Sequence, residues 1–362
     1  MTKTTTAAAV LLAMGGLTGA VNAQPQGGIE ASLEAAQYVG EGQDVVVSLK
    51  LTNTAKHPIK VLKWYTPADG LEDGIFKISR DGQAVPYQGP HYKRPAPSEK
   101  DYVKLAPGES LNTQVELSAY YDLSESGSYD IQYDVEAMGL IKNKGQAKKA
   151  ERLAEMKSNT VSLWVDGLEF KGAGSNKGKP GSGDGGGSTD GVSFQGRCSN
   201  SQQSEILTAL SAAGTISTDA LDYLQGHNSP ASSVRYDTWF GSYDAGRWNT
   251  VTNNFSAIKD AIDNQPLTFD CSCKKQYFAY VYPTQPYVVY LCSAFWSAPN
   301  TGTDSRAGTI VHELSHFNVV AGTDDLGYGH TNAKALADSD PNKAIQNADS
   351  HEYFAENTPV LP

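Results

Sequence analysis

Cysteine, positive charge and long apolar segments are all scarce in this chain of 362 residues. Its 29 Lys and Arg face 40 Asp and Glu, and the net charge of −11 argues against nucleic acid or an anionic membrane surface as a partner. Beyond the first 26 residues, no segment is long and apolar enough to span a bilayer. The length allows two or three domains with cores of their own.

The chain opens with MTKTTTAAAVLLAMGGLTGAVNAQPQ, which has the pattern of a secretory signal peptide. Lys3 precedes a short apolar run interrupted by glycines, and the small residues before and at Ala23 predict cleavage after that position. A membrane helix is disfavoured because the run is short. We therefore expect residues 1–23 to be removed and the mature protein to be secreted.

All four cysteines lie in the C-terminal half, at Cys198, Cys271, Cys273 and Cys292. An even number in an exported chain indicates two disulfides. The CSC spacing is too tight for the usual CxxC zinc knuckle. Among the three pairings, Cys198 with Cys271 and Cys273 with Cys292 avoids crossing.

Residues 171–190, KGAGSNKGKPGSGDGGGSTD, contain almost nothing that a core would bury. This composition predicts a flexible linker between two domains, residues 24–170 and 191–362. A long surface loop inside one domain is the weaker alternative, since twenty structureless residues are uncommon within a compact fold.

The N-terminal domain alternates apolar and polar residues in stretches such as QDVVVSLKLTN and SGSYDIQYDVEA. With turn signals between them, these stretches predict an antiparallel β-sandwich. We expect a helical insertion over residues 145–156, before the last strand. The two histidines, His57 and His91, have no metal or nucleophile spacing, so catalytic residues are expected elsewhere.

The C-terminal domain shows helical spacing around residues 199–225, 247–264, 308–317 and 347–357, with two short strands in KQYFAYVYPTQPYVVYLC. We expect a mostly α-helical domain with a small β-sheet. From residue 191 onward, seventeen Asp and Glu face nine Lys and Arg, a balance of −8. Such an acidic domain favours cationic substrates.

The stretch GTIVHELSHF places His312 and His316 four residues apart, on one face of a helix. Two such histidines can share one zinc ion, and Glu313 beside them can act as the general base. The alternative is a helix that holds two histidines by chance.

A catalytic zinc needs a third protein ligand. Gly322 occupies the position where an HExxHxxGxxH pattern has its third histidine, so that type of site is excluded. Glu352 lies on a later helix, but its SHEYF context does not match an NExxSD-like pattern. Either Asp324 or Asp325 in the turn after the helix remains.

HELSHF followed by GTDDLGYG resembles the aspzincins, the deuterolysin-type metalloendopeptidases, whose pattern is HExxH followed by GTxDxxYG. The match covers most of residues 195–362 and implies a zincin catalytic domain. It implies that Asp325 is the third zinc ligand and that Asp324 occupies a variable position. Tyr328, on the fixed tyrosine, can donate a hydrogen bond to the developing oxyanion.

Within that family, NADSHEYFAEN resembles the peptidyl-Lys metalloendopeptidases. The resemblance implies that Asp349 and Glu352 line the pocket after the scissile bond and that cleavage occurs on the amino side of lysine. Two acids three residues apart on a helix repel one another unless a cation lies between them. The alternative is a solvated helix face.

The resemblance implies a secreted zymogen that cleaves proteins and peptides, in which Glu313 activates a zinc-bound water. Its own propeptide, residues 24–170, is then an intramolecular inhibitor, and Lys171, Lys177 and Lys179 are candidate sites for release. Two alternatives stay open: an aspzincin protease without lysine selectivity, and a secreted zinc-containing binding module without catalysis.

Overall fold

The structure is a computed structural model that describes residues 25–143, 152–170, 172, 188–189 and 191–362. The predicted signal peptide and the linker lysines Lys171, Lys177 and Lys179 lie outside the described residues. Within the described part, no helix has the length and apolar character needed to cross a membrane.

The N-terminal half is built from β-strands, as its alternating pattern predicts. The described strands are β1 (Ile29–Ala35), β2 (Tyr38–Val39), β3 (Val46–Asn53), β4 (Ile59–Leu62), β5 (Phe76–Arg80), β6 (Gln83–Val85), β7 (His91–Lys93), β8 (Tyr102–Leu105), β9 (Ser110–Glu116), β10 (Gly127–Met138), β11 (Ile141–Asn143) and β12 (Leu153–Val165). Eleven of them form three sheets, ordered β1-β3-β9, β2-β12-β10-β5-β6 and β11-β4-β8. The β-rich half is thus present, while its assembly as a sandwich stays a prediction.

The helix predicted over residues 145–156 is wrong where the chain is described. Leu153–Met156 open strand β12 and pair with β10, with Leu153 opposite Met138 and Met156 opposite Val135. Residues 144–151 lie outside the described residues. Pairing with the twelve-residue strand β10 overrides the local helix propensity of these side chains.

The C-terminal half is mostly helical with a small sheet, as predicted. Its helices are α1 (Asn200–Gly226), α2 (Val234–Phe240), α3 (Ala245–Asn264), α4 (Ser293–Ser297), α5 (Arg306–His316), α6 (Gly329–Ser339), α7 (Pro341–Ala344) and α8 (Ala348–Glu356). Its strands are β13 (Ser188–Thr189), β14 (Val192–Gln195), β15 (Thr268–Asp270), β16 (Ala279–Val281) and β17 (Val288–Leu291). Helix α5 is buried along its length from Ala307 onward, in a core that includes Phe255 and Phe354.

One strand of the N-terminal half joins the sheet of the C-terminal half. The strand order is β13-β14-β15-β17-β16-β7, and β7 pairs antiparallel with β16. Lys93 lies opposite Ala279, and Tyr92 lies opposite Tyr280. The two halves are therefore joined by a continuous sheet.

Two disulfides fasten the C-terminal half. Cys198 before α1 is bonded to Cys271 after β15, and Cys273 is bonded to Cys292 after β17. This is the pairing of successive cysteines along the chain, one of the three that the sequence allows. The bonds hold the start of α1 and the end of β17 to the segment that leads into β16.

The start of helix α5 is held by a buried carboxylate from α8. Ser305 caps the helix, since its hydroxyl accepts a hydrogen bond from the Gly308 N–H at 2.9 Å. The Glu356 carboxylate in turn accepts from the Ser305 N–H at 2.8 Å and from its hydroxyl at 2.7 Å. The helix that carries His312 therefore begins at a fixed point.

Substituting Gly308→Ala is expected to destabilise the chain by about 1–3 kcal/mol, as for other overpacked sites. A Cβ at Gly308 would lie 2.1 Å from Oε1 of Glu356, which its bonds to Ser305 prevent from moving away. Urea unfolding of the full chain measures the change. Gly214→Ala in α1 is the control, because its Cβ meets only Ile262 at 3.6 Å and should leave stability equal or higher. Equal midpoints for both variants would contradict the expectation.

Candidate active site

Helix α5 brings His312, Glu313 and His316 together in a fully buried position. The Nε2 atoms of the two histidines face each other at 3.1 Å. This follows from the four-residue spacing, which puts both imidazoles on one face of the helix.

Asp325 completes a set of three donors. Its Oδ1 lies 3.2 Å from Nε2 of His312, and its Oδ2 lies 3.6 Å from Nε2 of His316. Both oxygens are buried and lack a hydrogen-bond partner among the described residues. Tetrahedral zinc, with ligands at about 2.0–2.2 Å, holds donor atoms about 3.3 Å apart. The three residues therefore fit one zinc ion.

The turn after α5 directs Asp325 inward and leaves its neighbour Asp324 outside. The side chain of Asp324 is 60% exposed. Its backbone is fastened to the start of α8, since its N–H donates to Gln346 O at 2.7 Å and its carbonyl accepts from the Ala348 N–H at 3.0 Å. The Tyr65 hydroxyl donates to the carbonyl of Asp325 at 2.7 Å. Of the two aspartates, only Asp325 faces the histidines.

The second nitrogen of each imidazole is also engaged. Nδ1 of His316 lies 2.7 Å from the carbonyl oxygen of Thr323, and Nδ1 of His312 lies 3.0 Å from Oδ1 of Asp349. Such contacts fix ring orientation and leave Nε2 available to a metal. Burial lowers the pKa of His316 to about 3, whereas at His312 the nearby carboxylates, Asp325 first, outweigh burial and raise the pKa.

Glu313 points one oxygen at the backbone of the N-terminal half. Its Oε1 accepts a hydrogen bond from the Lys93 N–H at 3.2 Å, while its Oε2 is buried without a partner in the described structure. Burial raises the pKa of this carboxyl to about 8. A carboxylate with raised basicity beside the metal donors suits a general base.

Three carboxylates form an acidic pocket beside His312, and the pocket holds a lysine. The pocket consists of Asp304, Asp349 and Glu352. Nζ of Lys93 lies 2.6 Å from Oε2 of Glu352, 3.4 Å from Oδ1 of Asp304 and 3.5 Å from Oδ1 of Asp349. The side chains of Lys93 and Glu352 are both fully buried. A desolvated ammonium therefore lies among three carboxylates, the arrangement that Asp349 and Glu352 need to avoid repulsion.

The lysine offsets part of the negative charge in the acidic pocket. Burial opposes the ammonium of Lys93, but the surrounding carboxylates outweigh it and hold its pKa well above the usual value. Burial also opposes ionisation of Asp349, yet Lys93 and neighbouring donors lower its pKa. Burial raises the pKa of Glu352. The aromatic rings of Phe278 and Tyr353 lie 5.0 and 5.7 Å from the ammonium.

Tyr328, three residues after Asp325, contacts the backbone beside Lys93. Its hydroxyl donates to the carbonyl oxygen of Tyr92 at 3.0 Å and accepts from Nη1 of Arg94 at 2.7 Å. The ring is buried and packs edge-on against Trp64 at 5.0 Å. Its phenol therefore reaches a peptide carbonyl in this cleft.

The site also contains residues that sequence reasoning missed. Lys93 and Asp304 take part in the acidic pocket, and Arg94 contacts Tyr328. His91, which has no metal spacing in the sequence, also lies beside the metal donors, with its ring centroid 5.0 Å from that of His316. No spacing signal links these residues, since about 210 to 235 positions separate the partners.

The chain is similar to several proteins that are named as proteases or peptidases. Residues 225–356 match the aspzincin family model, described as a lysine-specific metallo-endopeptidase. The chain is 53% identical over 333 residues to an extracellular protease of Aeromonas hydrophila, covering 92% of this chain and 93% of the relative. It is 35% identical over 367 residues to a peptidyl-Lys metalloendopeptidase of Grifola frondosa, covering 97% of this chain and 98% of that relative. A solved zinc peptidase from Grifola frondosa is 49% identical, covers 46% of this chain and 100% of that chain, and has a TM-score of 0.44.

Proposed function

The chain belongs to the aspzincin family of zinc metalloendopeptidases, and from this premise we propose that it hydrolyses peptide bonds on the amino side of lysine and is secreted as a zymogen. The observation that carries lysine selectivity is the acidic pocket, where a buried ammonium lies 2.6 Å from Glu352. Relatives named peptidyl-Lys metalloendopeptidases add support.

In this proposal His312, His316 and Asp325 hold the zinc ion. Zinc, when bound, polarises a peptide carbonyl and acidifies water. Glu313 accepts a proton from the attacking water and passes it to the departing amide nitrogen. Its Oε1 already accepts a hydrogen bond from a backbone amide nitrogen, that of Lys93. The Tyr328 hydroxyl donates to the carbonyl oxygen as negative charge develops there. Asp349 orients His312 through Nδ1.

Selectivity in the proposal comes from burial of charge. With Lys93 in place, Asp349 and Glu352 are almost completely inaccessible to water, and without it the acidic pocket holds neighbouring carboxylates with no ammonium between them. A lysine ammonium supplies that charge and is paired on entry, whereas a neutral side chain leaves the carboxylates unpaired. A lysine is therefore favoured over a neutral residue of similar length.

The zymogen part of the proposal assigns inhibition to the N-terminal half. Strand β7 pairs with strand β16, and the side chain of Lys93 occupies the acidic pocket. The linker residues Lys171, Lys177 and Lys179 match the proposed selectivity, so we propose that the enzyme cuts there itself. The sandwich arrangement of residues 24–170 and their removal as a propeptide belong to the same proposal, as does secretion through residues 1–23.

Chelation tests the metal requirement. Incubating the linker-cleaved enzyme with a chelator is expected to abolish hydrolysis of a lysine-containing peptide, and one equivalent of Zn²⁺ should restore it. Mg²⁺ is the control, because two imidazoles and one carboxylate form a poor site for that ion. Full activity in the metal-free protein, verified by elemental analysis, would refute the proposed zinc chemistry.

A further inference from the structure

Residues 91–94, HYKR, form an inserted segment that runs through the active-site cleft. Its strand β7 pairs antiparallel with β16, and the Phe278 N–H donates to the carbonyl of Lys93 at 3.0 Å. Adding a strand to an exposed sheet edge is a common way to bind an extended peptide. The inserted segment thus occupies the place of a peptide ligand.

The atoms of one peptide bond meet the groups that hydrolysis requires. In the bond between Tyr92 and Lys93, the carbonyl oxygen accepts from the Tyr328 hydroxyl at 3.0 Å. The amide nitrogen of the same bond donates to Oε1 of Glu313 at 3.2 Å. The side chain that follows the bond enters the acidic pocket, with Glu352 at 2.6 Å. Three independent contacts therefore agree on one register.

We propose that the inserted segment is bound as a substrate, with the Tyr92–Lys93 bond at the position of cleavage, and that Lys93 is the residue through which the N-terminal half blocks the acidic pocket. This proposal rests on the lysine selectivity proposed above. It adds the register of the bound peptide and the residue responsible for latency.

The register also assigns a subsite for the residue before the cut. The ring of Tyr92 lies 5.2 Å from that of Tyr277 and 5.1 Å from that of Tyr280. Tyr280 is itself stacked on Tyr290 at 4.5 Å, so this aromatic surface is held in place. Peptides with an aromatic residue before lysine should therefore be preferred.

The inserted segment is anchored beyond the bond as well as before it. Arg94 is fully buried and donates to Tyr328 at 2.7 Å and to the carboxylate of Glu72 at 3.3 Å. Tyr92 is held by its pairing with β16. Because the residues on both sides of the bond keep these contacts after cleavage, a cut at this bond would not vacate the cleft.

Latency of the full chain tests the role of Lys93. The parent carries Lys171→Arg, Lys177→Arg and Lys179→Arg to protect the linker, and mass spectrometry verifies that it stays intact. Lys93→Met keeps the apolar stem but removes the ammonium, and it should raise hydrolysis of a lysine-containing quenched-fluorescent peptide at least tenfold. Lys104→Met, at an exposed position of β8, is the matched control and should change nothing. Equal activity of the two variants overturns the blocking role.

A free peptide tests the register even if Lys93→Met fails to fold. The peptide QGPHYKRPAPS copies residues 88–98, and the linker-cleaved enzyme should cut it once, between tyrosine and lysine. Water adds to the tyrosine carbonyl carbon, the C–N bond breaks, and the lysine nitrogen leaves as an amine. Glycine in place of that tyrosine should lower kcat/KM about tenfold through loss of ring contacts. No cut, or equal rates for both peptides, overturns the register.

The outcomes separate the two proposals. Cleavage of the peptide at bonds other than the one before lysine would refute lysine selectivity itself. Cleavage before lysine without any gain in activity for Lys93→Met would leave selectivity intact and refute only the blocking role of the inserted segment.

Discussion

The Glu313→Gln chain is expected to hydrolyse peptides at least about 10³-fold more slowly than the parent, as for loss of a general base. Glutamine has the same shape and its amide oxygen can still accept the hydrogen bond from the Lys93 N–H, but it cannot take a proton from water. Progress curves with a lysine-containing peptide measure the loss. Because the linker is proposed to be cut by the enzyme itself, this chain should also stay full-length after purification.

The control for Glu313→Gln is Asp338→Asn, which removes one negative charge from an exposed position of α6. Both variants should bind one zinc ion and unfold at a similar temperature, so that only the proton transfer differs. A Glu313→Gln chain within tenfold of the parent rate would exclude this residue as the base. Cutting of its linker at the normal rate in purified isolation would exclude self-cleavage.

Glu352→Gln is expected to lower kcat/KM for a lysine peptide by about 10²–10³-fold, since truncating one partner of a buried charge pair costs about 2–5 kcal/mol. Its carboxylate is the nearest of the three to the ammonium, at 2.6 Å. A peptide identical except for methionine at that position should lose little. The ratio of the two kcat/KM values therefore measures the contribution of charge to selectivity.

The zinc content of Glu352→Gln decides whether its loss of activity reports on selectivity. Oε2 of Glu352 also lies 3.3 Å from Nδ1 of His312, so the zinc content of the variant must match that of the parent. With zinc retained, an equal loss on the lysine and methionine peptides would mean that Glu352 supports the metal site rather than selectivity. Asp338→Asn should leave both peptides unaffected.

The local part of the site follows from sequence. The spacing in HELSH places two imidazoles on one helix face, and the structure brings them to 3.1 Å. Spacing does not choose between Asp324 and Asp325, because a turn can direct either side chain inward. The choice came from a family resemblance, and the physical reason for it is backbone pairing between Asp324 and the start of α8.

The non-local part of the site does not follow from sequence. Lys93 belongs to a three-residue strand whose pairing partner, β16, lies about 190 positions later, and short polar strands carry little periodicity. Asp304 lies one residue before Ser305, the N-cap of α5, and no sequence motif marks it as a site residue. The sequence therefore predicts no catalytic residue in the N-terminal half and does not point to Lys93, the cation in the acidic pocket.

The fold likewise has elements that local sequence patterns predict and one that they do not. Helices α1, α3, α5 and α8 follow from apolar periodicity and capping residues, and α1 and α5 begin after Ser199 and Ser305. The residues from Leu153 to Met156 have good helix formers, yet they pair with β10 instead. Local helix propensity is outweighed there by pairing with β10, which the local sequence pattern does not reveal.

Cleavage-site mapping tests lysine-directed zinc hydrolysis most directly. The linker-cleaved enzyme is incubated with a denatured protein mixture, beside the Glu313→Gln chain whose linker has been cut by a second protease, and new N-termini are identified by mass spectrometry. We predict that most new N-termini begin with lysine and that they are absent with the Glu313→Gln chain. New N-termini in which lysine is no more frequent than in the mixture as a whole would contradict the account.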